Sequence, residues 1–140
     1  MVLLGGKIDI DWYSQYGYTH PVTIDYDEVQ ALLPLPAATF HILLALSPGE
    51  QHGYAIIQDV AERTKGALHL SAGTLYRSIA RMVEQGLIVE TTTRRTRADD
   101  ERRRYYRITS FGTAVARAEM RRLSELVRLA RAAGLTPETA

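Results

Sequence analysis

The stretch that decides the fold is SAGTLYRSIARMVEQGLI, residues 71–88. Its apolar side chains recur every three or four residues, which is the period of an amphipathic helix. Ser71 is placed to cap the first turn, and Gly86 is placed to end the helix in a left-handed conformation. We therefore predict one helix whose buried face consists of Ala72, Leu75, Ile79, Met82 and Val83.

The opposite face of this helix carries two arginines, Arg77 and Arg81, one turn apart. Like charges at this spacing repel each other by roughly a few tenths of a kcal/mol in an isolated helix. An anionic partner would replace that repulsion with attraction. DNA is such a partner, because arginine can bind guanine O6 and N7 or a backbone phosphate.

Two helices are predicted before this one. The first runs from Pro36 to about Leu46, and the second runs from about Gly53 to Thr64, with Gly66 ending it. The side chains expected to be buried are Phe40, Leu43, Leu44 and Leu46 in the first helix and Ile56, Ile57, Val60 and Ala61 in the second.

After the arginine-bearing helix, residues 87–93 and 103–109 have strand composition, and RRTRADDER (94–102) joins them as a charged hairpin tip. Three helices followed by a two-stranded ribbon is the winged helix-turn-helix layout, in which the third helix enters the major groove. The predicted fold class is therefore mainly α with a small β wing. Basic side chains suited to phosphates gather in the wing, at Arg94, Arg95, Arg97, Arg102, Arg103 and Arg104.

A last long helix is predicted over residues 110–134, with Thr109 or Ser110 as its cap and Gly134 ending it. At 1.5 Å per residue such a helix spans roughly 35 Å, which is longer than the core of a small domain. Its apolar stripe can dock on its own domain, but a second copy of the helix covers that length better. The expected dimerisation residues are Phe111, Val115, Leu123, Leu126 and Ala130.

The first 33 residues of the chain differ from the rest in charge. Residues 1–33 hold five acids and one base, a net charge of −4, whereas residues 34–140 have a net charge of +5. Residues 7–13 and 22–28 alternate apolar and polar side chains, which predicts two short strands. The expected organisation is an acidic N-terminal extension (1–33), a winged helix-turn-helix domain (34–109), a dimerisation helix (110–134) and a tail (135–140).

The composition excludes several classes of protein. The chain has no cysteine, its four histidines lack the spacing of a metal site, and no glycine-rich phosphate loop or nucleophile elbow is present. We therefore expect no enzyme, no cofactor and no metal. Neither a signal peptide nor a run of about 18 apolar residues is found, so we expect a soluble cytoplasmic protein with no membrane contact.

Three motifs together resemble the PadR family of transcriptional regulators: HGYAIIQDV (52–60), LSAGTLYRSIARMVEQGLI (70–88) and RRRYYRITSFG (102–112). The resemblance implies a short-tailed winged-helix repressor that dimerises through its C-terminal helix and binds a palindromic operator. It implies that Tyr54 supports the second helix and that Tyr105 and Tyr106 lie in the wing strand. Ser71, Thr74, Tyr76 and Arg77 match the DNA-facing start of the recognition helix, although a packing role is open for Tyr76.

The resemblance also implies a small aromatic effector, for which Trp12, Tyr13, Tyr16 and Tyr18 offer aromatic surface. Two alternative functions stay open on the sequence. One is a ligand-sensing winged-helix regulator of the MarR type, which usually has a longer helical frame. The other is a winged-helix module that binds protein rather than DNA. A salt titration distinguishes the protein-binding module from a DNA-binding protein, because DNA binding weakens steeply as the salt concentration rises.

Overall fold

The computed structural model describes residues 3–4, 7–10, 22–91 and 103–138, with side chains from residue 23 onward. The elements in chain order are β1 (Leu3–Leu4), β2 (Lys7–Ile10), β3 (Val22–Asp25), α1 (Tyr26–Ala31), α2 (Ala37–Leu46), β4 (Gln51–His52), α3 (Gly53–Arg63), α4 (Ala72–Glu84), β5 (Ile88–Glu90), β6 (Tyr105–Ile108) and α5 (Ser110–Ala132). Both three-stranded sheets are antiparallel, in the orders β1-β2-β3 and β4-β6-β5. The winged helix-turn-helix prediction is confirmed by α2, α3, α4 and the β5–β6 ribbon.

Helices α2 and α3 bury a different set of residues from the predicted one. In α2, Leu43 and Leu46 are buried as predicted, but Phe40 and Leu44 are only half-buried, and Ile42 and Ala45 join the core. The reason is that α2 contacts α3, α4, α5 and β6, so its buried surface is wider than one stripe. In α3, Ile56 and Val60 are buried while Ile57 and Ala61 are half-buried.

Helix α4 begins and ends where the sequence predicts. The Ser71 side chain accepts a hydrogen bond from the Thr74 N–H at 3.1 Å, and Gly86 has φ +79°. The Leu87 N–H then closes the helix end on the Met82 carbonyl at 2.9 Å. The buried face is narrower than predicted, because Leu75, Ile79 and Met82 are buried whereas Ala72 and Val83, at its edges, are exposed.

The wing contains one strand that the sequence did not predict. Strand β4 pairs with β6 through Gln51 opposite Tyr106 and His52 opposite Tyr105. It has only two residues, which is too short to show a period of two. Strands β5 and β6 confirm the predicted ribbon between residues 88 and 108, and its tip, residues 92–102, lies outside the described residues.

The N-terminal segment pairs and packs as part of the body. Strands β2 and β3 confirm the two predicted strands over residues 7–10 and 22–25, and they pair with Ile8 opposite Ile24, while residues 11–13 lie outside the described residues. Residues 26–28 are helical instead of extended, because the Asp25 side chain caps α1 by accepting from the Asp27 N–H at 2.9 Å. Ile24 and Val29 lie in the same core as the later helices.

Helix α5 has two halves with different surroundings. The Thr109 side chain caps its start, and the helix then packs against α1 and α2 as far as Glu119. Beyond Glu119 the helix is largely exposed, at Met120, Leu123, Leu126, Val127 and Leu129. Gly134, with φ +85°, follows its end as predicted.

Among the described residues, no helix combines the length and the apolar character needed to cross a membrane.

Two of the residues predicted for dimerisation are therefore engaged elsewhere. Val115 is fully buried by its own chain, and Phe111 packs against the same core. The sequence could not reveal this, since both fall on the apolar stripe that continues into the open half. Leu123 and Leu126 are exposed, and Ala130 is half-buried.

Candidate nucleic-acid interface

The outer face of α4 presents the predicted arginines to solvent. Arg77 and Arg81 are exposed on the face opposite the buried Leu75, Ile79 and Met82. Fixed caps and a packed inner face leave α4 little freedom to rotate. The two guanidinium groups are therefore held on one accessible surface.

The first turn of α4 brings three of the predicted contact residues together. The Ser71 hydroxyl, besides accepting from the Thr74 N–H, donates to the Thr74 hydroxyl at 3.0 Å. The Arg77 side chain turns back toward this pair, with Nη2 3.5 Å from the Thr74 hydroxyl. Gly73 leaves room for it, since a β-carbon there would lie 3.3 Å from Arg77 Nη1. Ser71, Thr74 and Arg77 thus form one polar patch at the helix start.

Two of the predicted wing arginines lie in the described part of the chain, beside β4 and β5. Arg103 Nη1 lies 3.1 Å from His52 Nε2, and Arg104 Nη1 lies 3.6 Å from a Glu90 carboxylate oxygen. Both Arg104 and Glu90 are largely exposed, so this ion pair contributes little to stability. The other four predicted arginines, Arg94, Arg95, Arg97 and Arg102, lie outside the described residues.

His52 is a functional candidate that the sequence analysis missed. Its Nδ1 accepts a hydrogen bond from the Ala55 N–H at 3.2 Å and so caps the start of α3. Its ring also makes an edge contact with the Tyr105 ring, at 5.3 Å between centroids. Histidine is not among the usual capping residues, and its partners come from a distant strand, so only its place directly before a helical pattern offered a signal.

Beside His52 lies an open pocket of about 290 Å³ between the recognition helix and the root of the wing. It is lined by His52, Gly53, Tyr54, Tyr76, Arg103 and Arg104. Its volume lies just below that of pockets that enclose drug-sized ligands, which measure about 300–1,000 Å³. Its lining combines basic and hydroxyl groups, which suits a small anionic group.

The two tyrosines of this pocket both have exposed side chains. Tyr54, which the family resemblance implied supports the second helix, is 60% exposed in the first turn of α3. Tyr76 is half-exposed, and its ring lies against Gly53, where a β-carbon would come within 2.9 Å of Tyr76 Cζ. Tyr76 therefore both packs against α3 and presents an accessible face.

The tyrosine pair of β6 lies as alternation along a strand requires. Tyr106 is buried, whereas Tyr105 is half-buried beside His52. Burial raises the pKa of the Tyr106 phenol, and the nearby Glu90 and Tyr76 raise it further. Tyr106 is thus a neutral core residue beneath the wing.

The remaining predictions concern metal ions and an effector. Within the part of the chain that the structure describes, no three His, Asp or Glu side chains are grouped closely enough to hold a metal ion. The aromatic residues named for an effector, Trp12, Tyr13, Tyr16 and Tyr18, lie outside the described residues. The effector therefore stays a prediction.

Comparison with known proteins identifies the family. The model of the Transcriptional regulator PadR-like family matches residues 42–118, more than half of the chain. A transcriptional regulator of Mycobacterium tuberculosis is 33% identical over 92 residues, which cover 66% of this chain and 80% of that protein.

Solved structures share the fold. A PadR family transcription regulator from Clostridium difficile has a TM-score of 0.59 at 21% identity, covering 69% of this chain and 96% of that one. Bacillus subtilis PadR in complex with operator DNA has a TM-score of 0.52 at 20% identity, covering 62% of this chain and 48% of that one. This chain belongs to the PadR-like family of transcriptional regulators, which are transcription factors and not enzymes.

Proposed function

We propose that this chain is a repressor that binds a palindromic DNA operator as a homodimer, with one α4 helix in the major groove of each half-site. The observation that carries the proposal is the pair of exposed arginines on the outer face of α4, above the buried face that fixes the helix. The operator complex of Bacillus subtilis PadR supports it, because that protein shares the winged-helix fold.

The roles of the two DNA-facing elements follow from their positions. The major groove of B-DNA admits an α-helix, and arginine recognises guanine there through O6 and N7. Arg77 and Arg81 on α4 therefore read base edges, together with the polar patch at Ser71 and Thr74. Arg103 and Arg104 at the root of the wing bind phosphates, which supply affinity without sequence information. A protein with this role acts on chromosomal DNA in the cytoplasm.

The outer half of α5 supports the homodimer. Met120, Leu123 and Val127 recur at helical spacing on a surface that no other described part of the chain covers. A second copy of the same helix covers it with the same residues, and such a two-fold interface matches a palindromic site. If both subunits bind one face of the duplex, the half-site centres lie about 10 bp apart or a multiple of that distance.

Selection of bound sequences from a pool of random duplexes tests the proposal. We expect an enriched palindrome, and placing it over a promoter should reduce transcription when the protein is added. The affinity for that palindrome should fall with a slope of about −0.9 in log K against log salt for each phosphate contact. If no sequence is enriched and duplex binding does not depend on salt, the result would instead favour a module that binds protein.

A further inference from the structure

We infer that four residues where the end of α4 meets the start of α5, Gly86, Leu87, Thr109 and Gly112, set the spacing between the two half-sites that a dimer recognises. We call these four residues the α4–α5 joint. The inference rests on the proposed function and extends it. It assigns the half-site spacing to residues that lie outside both the arginine face of α4 and the open half of α5.

The Thr109 hydroxyl joins the two helix ends through hydrogen bonds. It accepts from the Gly112 N–H at 2.9 Å and so caps the start of α5. The same hydroxyl lies 2.6 Å from the Gly86 carbonyl oxygen and 3.0 Å from that of Leu87, and its single proton is donated to these acceptors. The Thr109 N–H also donates to the Leu87 carbonyl oxygen, at 3.0 Å. The residues that follow α4 are thereby bound to the residue that begins α5.

Gly112 allows the two backbones to approach each other closely. It is buried in the first turn of α5, and a β-carbon there would overlap the Leu87 carbonyl oxygen and lie 3.0 Å from Ile108 Cγ1. Glycine is an unfavourable residue inside a helix, and this close approach explains its presence. The obstacle is backbone, which cannot rotate aside as a flexible side chain does. Any larger residue at position 112 therefore displaces α5 from the end of α4.

The length of α5 converts a small rotation at the joint into a large displacement. In the proposed dimer α4 binds DNA and the open half of α5 binds the second copy, so the angle between them sets the distance between the two α4 helices. From Ser110 to Val127 the helix extends roughly 25 Å at 1.5 Å per residue. A rotation of about 8° over that length moves the far end by roughly 3.5 Å, close to the rise of one base pair.

Both helices also pack against α2. This shared neighbour keeps α4 and α5 in the same domain when the joint is altered. We therefore expect changes at the joint to alter the angle between the two helices without separating them.

Duplexes in which different numbers of base pairs separate the two halves of the selected palindrome test the inference. Gly112→Ala adds only the β-carbon that would overlap the Leu87 carbonyl oxygen. Thr109→Asp keeps a side chain that caps helices well but cannot donate to a carbonyl, whereas Thr109→Ser keeps both properties. Thr113→Val is the matched control, because the hydroxyl that it removes donates to the Thr109 carbonyl within α5.

We expect the wild type to prefer one spacing by about tenfold over its neighbours, since each added base pair also rotates one half-site by roughly 35°. Gly112→Ala should shift the preferred spacing by about 1 bp. Thr109→Asp should reduce the preference to about threefold or less, because the joint loses its donor. Thr109→Ser and Thr113→Val should keep the wild-type preference, and affinity for a single half-site should be the same in all five proteins.

A purely structural role for the joint would give a different result. Lower stability weakens binding at every spacing alike and does not change which spacing is preferred. Circular dichroism checks that each variant is folded, and if Gly112→Ala is not, the comparison of Thr109→Asp with Thr109→Ser decides. A wild-type spacing preference in the folded variants of the joint would overturn the inference and leave the proposed function standing. A wild type without any preferred spacing would contradict the proposed function itself.

Discussion

Arg122 binds both carboxylate oxygens of Glu119, with Nε 2.7 Å from Oε1 and Nη2 2.9 Å from Oε2. Glu119 is only 2% exposed and lies where α5 leaves the core for its open half. The hydrogen bonds from Arg122 lower the pKa of Glu119, although burial opposes this effect. The backbone of Leu35, in the segment before α2, also lowers this pKa, so the Glu119 carboxylate lies between α5 and the body.

Replacing this buried carboxylate should destabilise the fold in a way that depends on pH. Glu119→Gln keeps the shape but removes the charge, and we expect the free energy of unfolding at pH 7 to fall by about 1.5–3 kcal/mol. Because the pKa is lowered in the folded state, this stabilisation is fully present above the ordinary value of 4.5 and is lost as the pH falls through the folded pKa. The difference in the free energy of unfolding between the wild type and the variant, measured by urea titration, should therefore become smaller below pH 4.5.

A matched pair on the same helix provides the control. Arg128 binds Glu125 at the same spacing and at similar distances, but the Glu125 side chain is 55% exposed. Glu125→Gln should change stability far less than Glu119→Gln, because water replaces the lost hydrogen bonds. Equal losses for the two variants would show that burial of Glu119 has no part in the effect.

The N-terminal segment should unfold together with the helices. Ile24 is 4% exposed and shares their core, so Ile24→Ala should lower the free energy of unfolding by about 2–5 kcal/mol. Gln30→Ala, at an exposed position of α1, is the control. Hydrogen exchange at the backbone amides of β3 and α1 reports on this segment, and circular dichroism reports on the helices. Two separate transitions would mean that the segment is an independent unit.

The open half of α5 should determine the oligomeric state. Leu126 is 49% exposed, and Leu126→Glu should convert the expected dimer into a folded monomer at micromolar concentration in sedimentation experiments. Ala132→Glu introduces the same charge on the opposite exposed face of the helix and should leave the dimer intact. Truncation before α5 is a poor test, because it removes Val115 and Ala118 from the core. A wild-type monomer at this concentration would refute the homodimer.

Local signals explain what the sequence predicted correctly. Ser71 and Gly86 set the limits of α4 through hydrogen bonds and a left-handed turn that involve only near neighbours. The same holds for the Thr109 cap of α5. Each of these features depends on one residue type at one position, which the sequence alone shows.

The features that the sequence did not predict depend on contacts between distant segments. Asp25 fits an alternating strand and also caps a helix, so the pattern alone could not show that β3 ends there. His52 gains its role from Arg103 and Tyr105, more than 50 residues later. Likewise, the apolar stripe of α5 does not show which of its side chains are covered by α1 and α2. Its division at Glu119 follows from where those helices lie.

The central claim, that α4 reads the operator through Arg77, is tested most directly by comparing Arg77→Ala with the wild type on the selected operator and on random duplex. We expect a loss of about 1–3 kcal/mol on the operator, with relaxed preference at one base position in each half-site and little change on random DNA. Arg63→Ala, whose side chain pairs with Asp59 on α3, is the control and should change neither affinity. An unchanged ratio of operator to random affinity in Arg77→Ala would contradict the claim that this arginine reads the sequence.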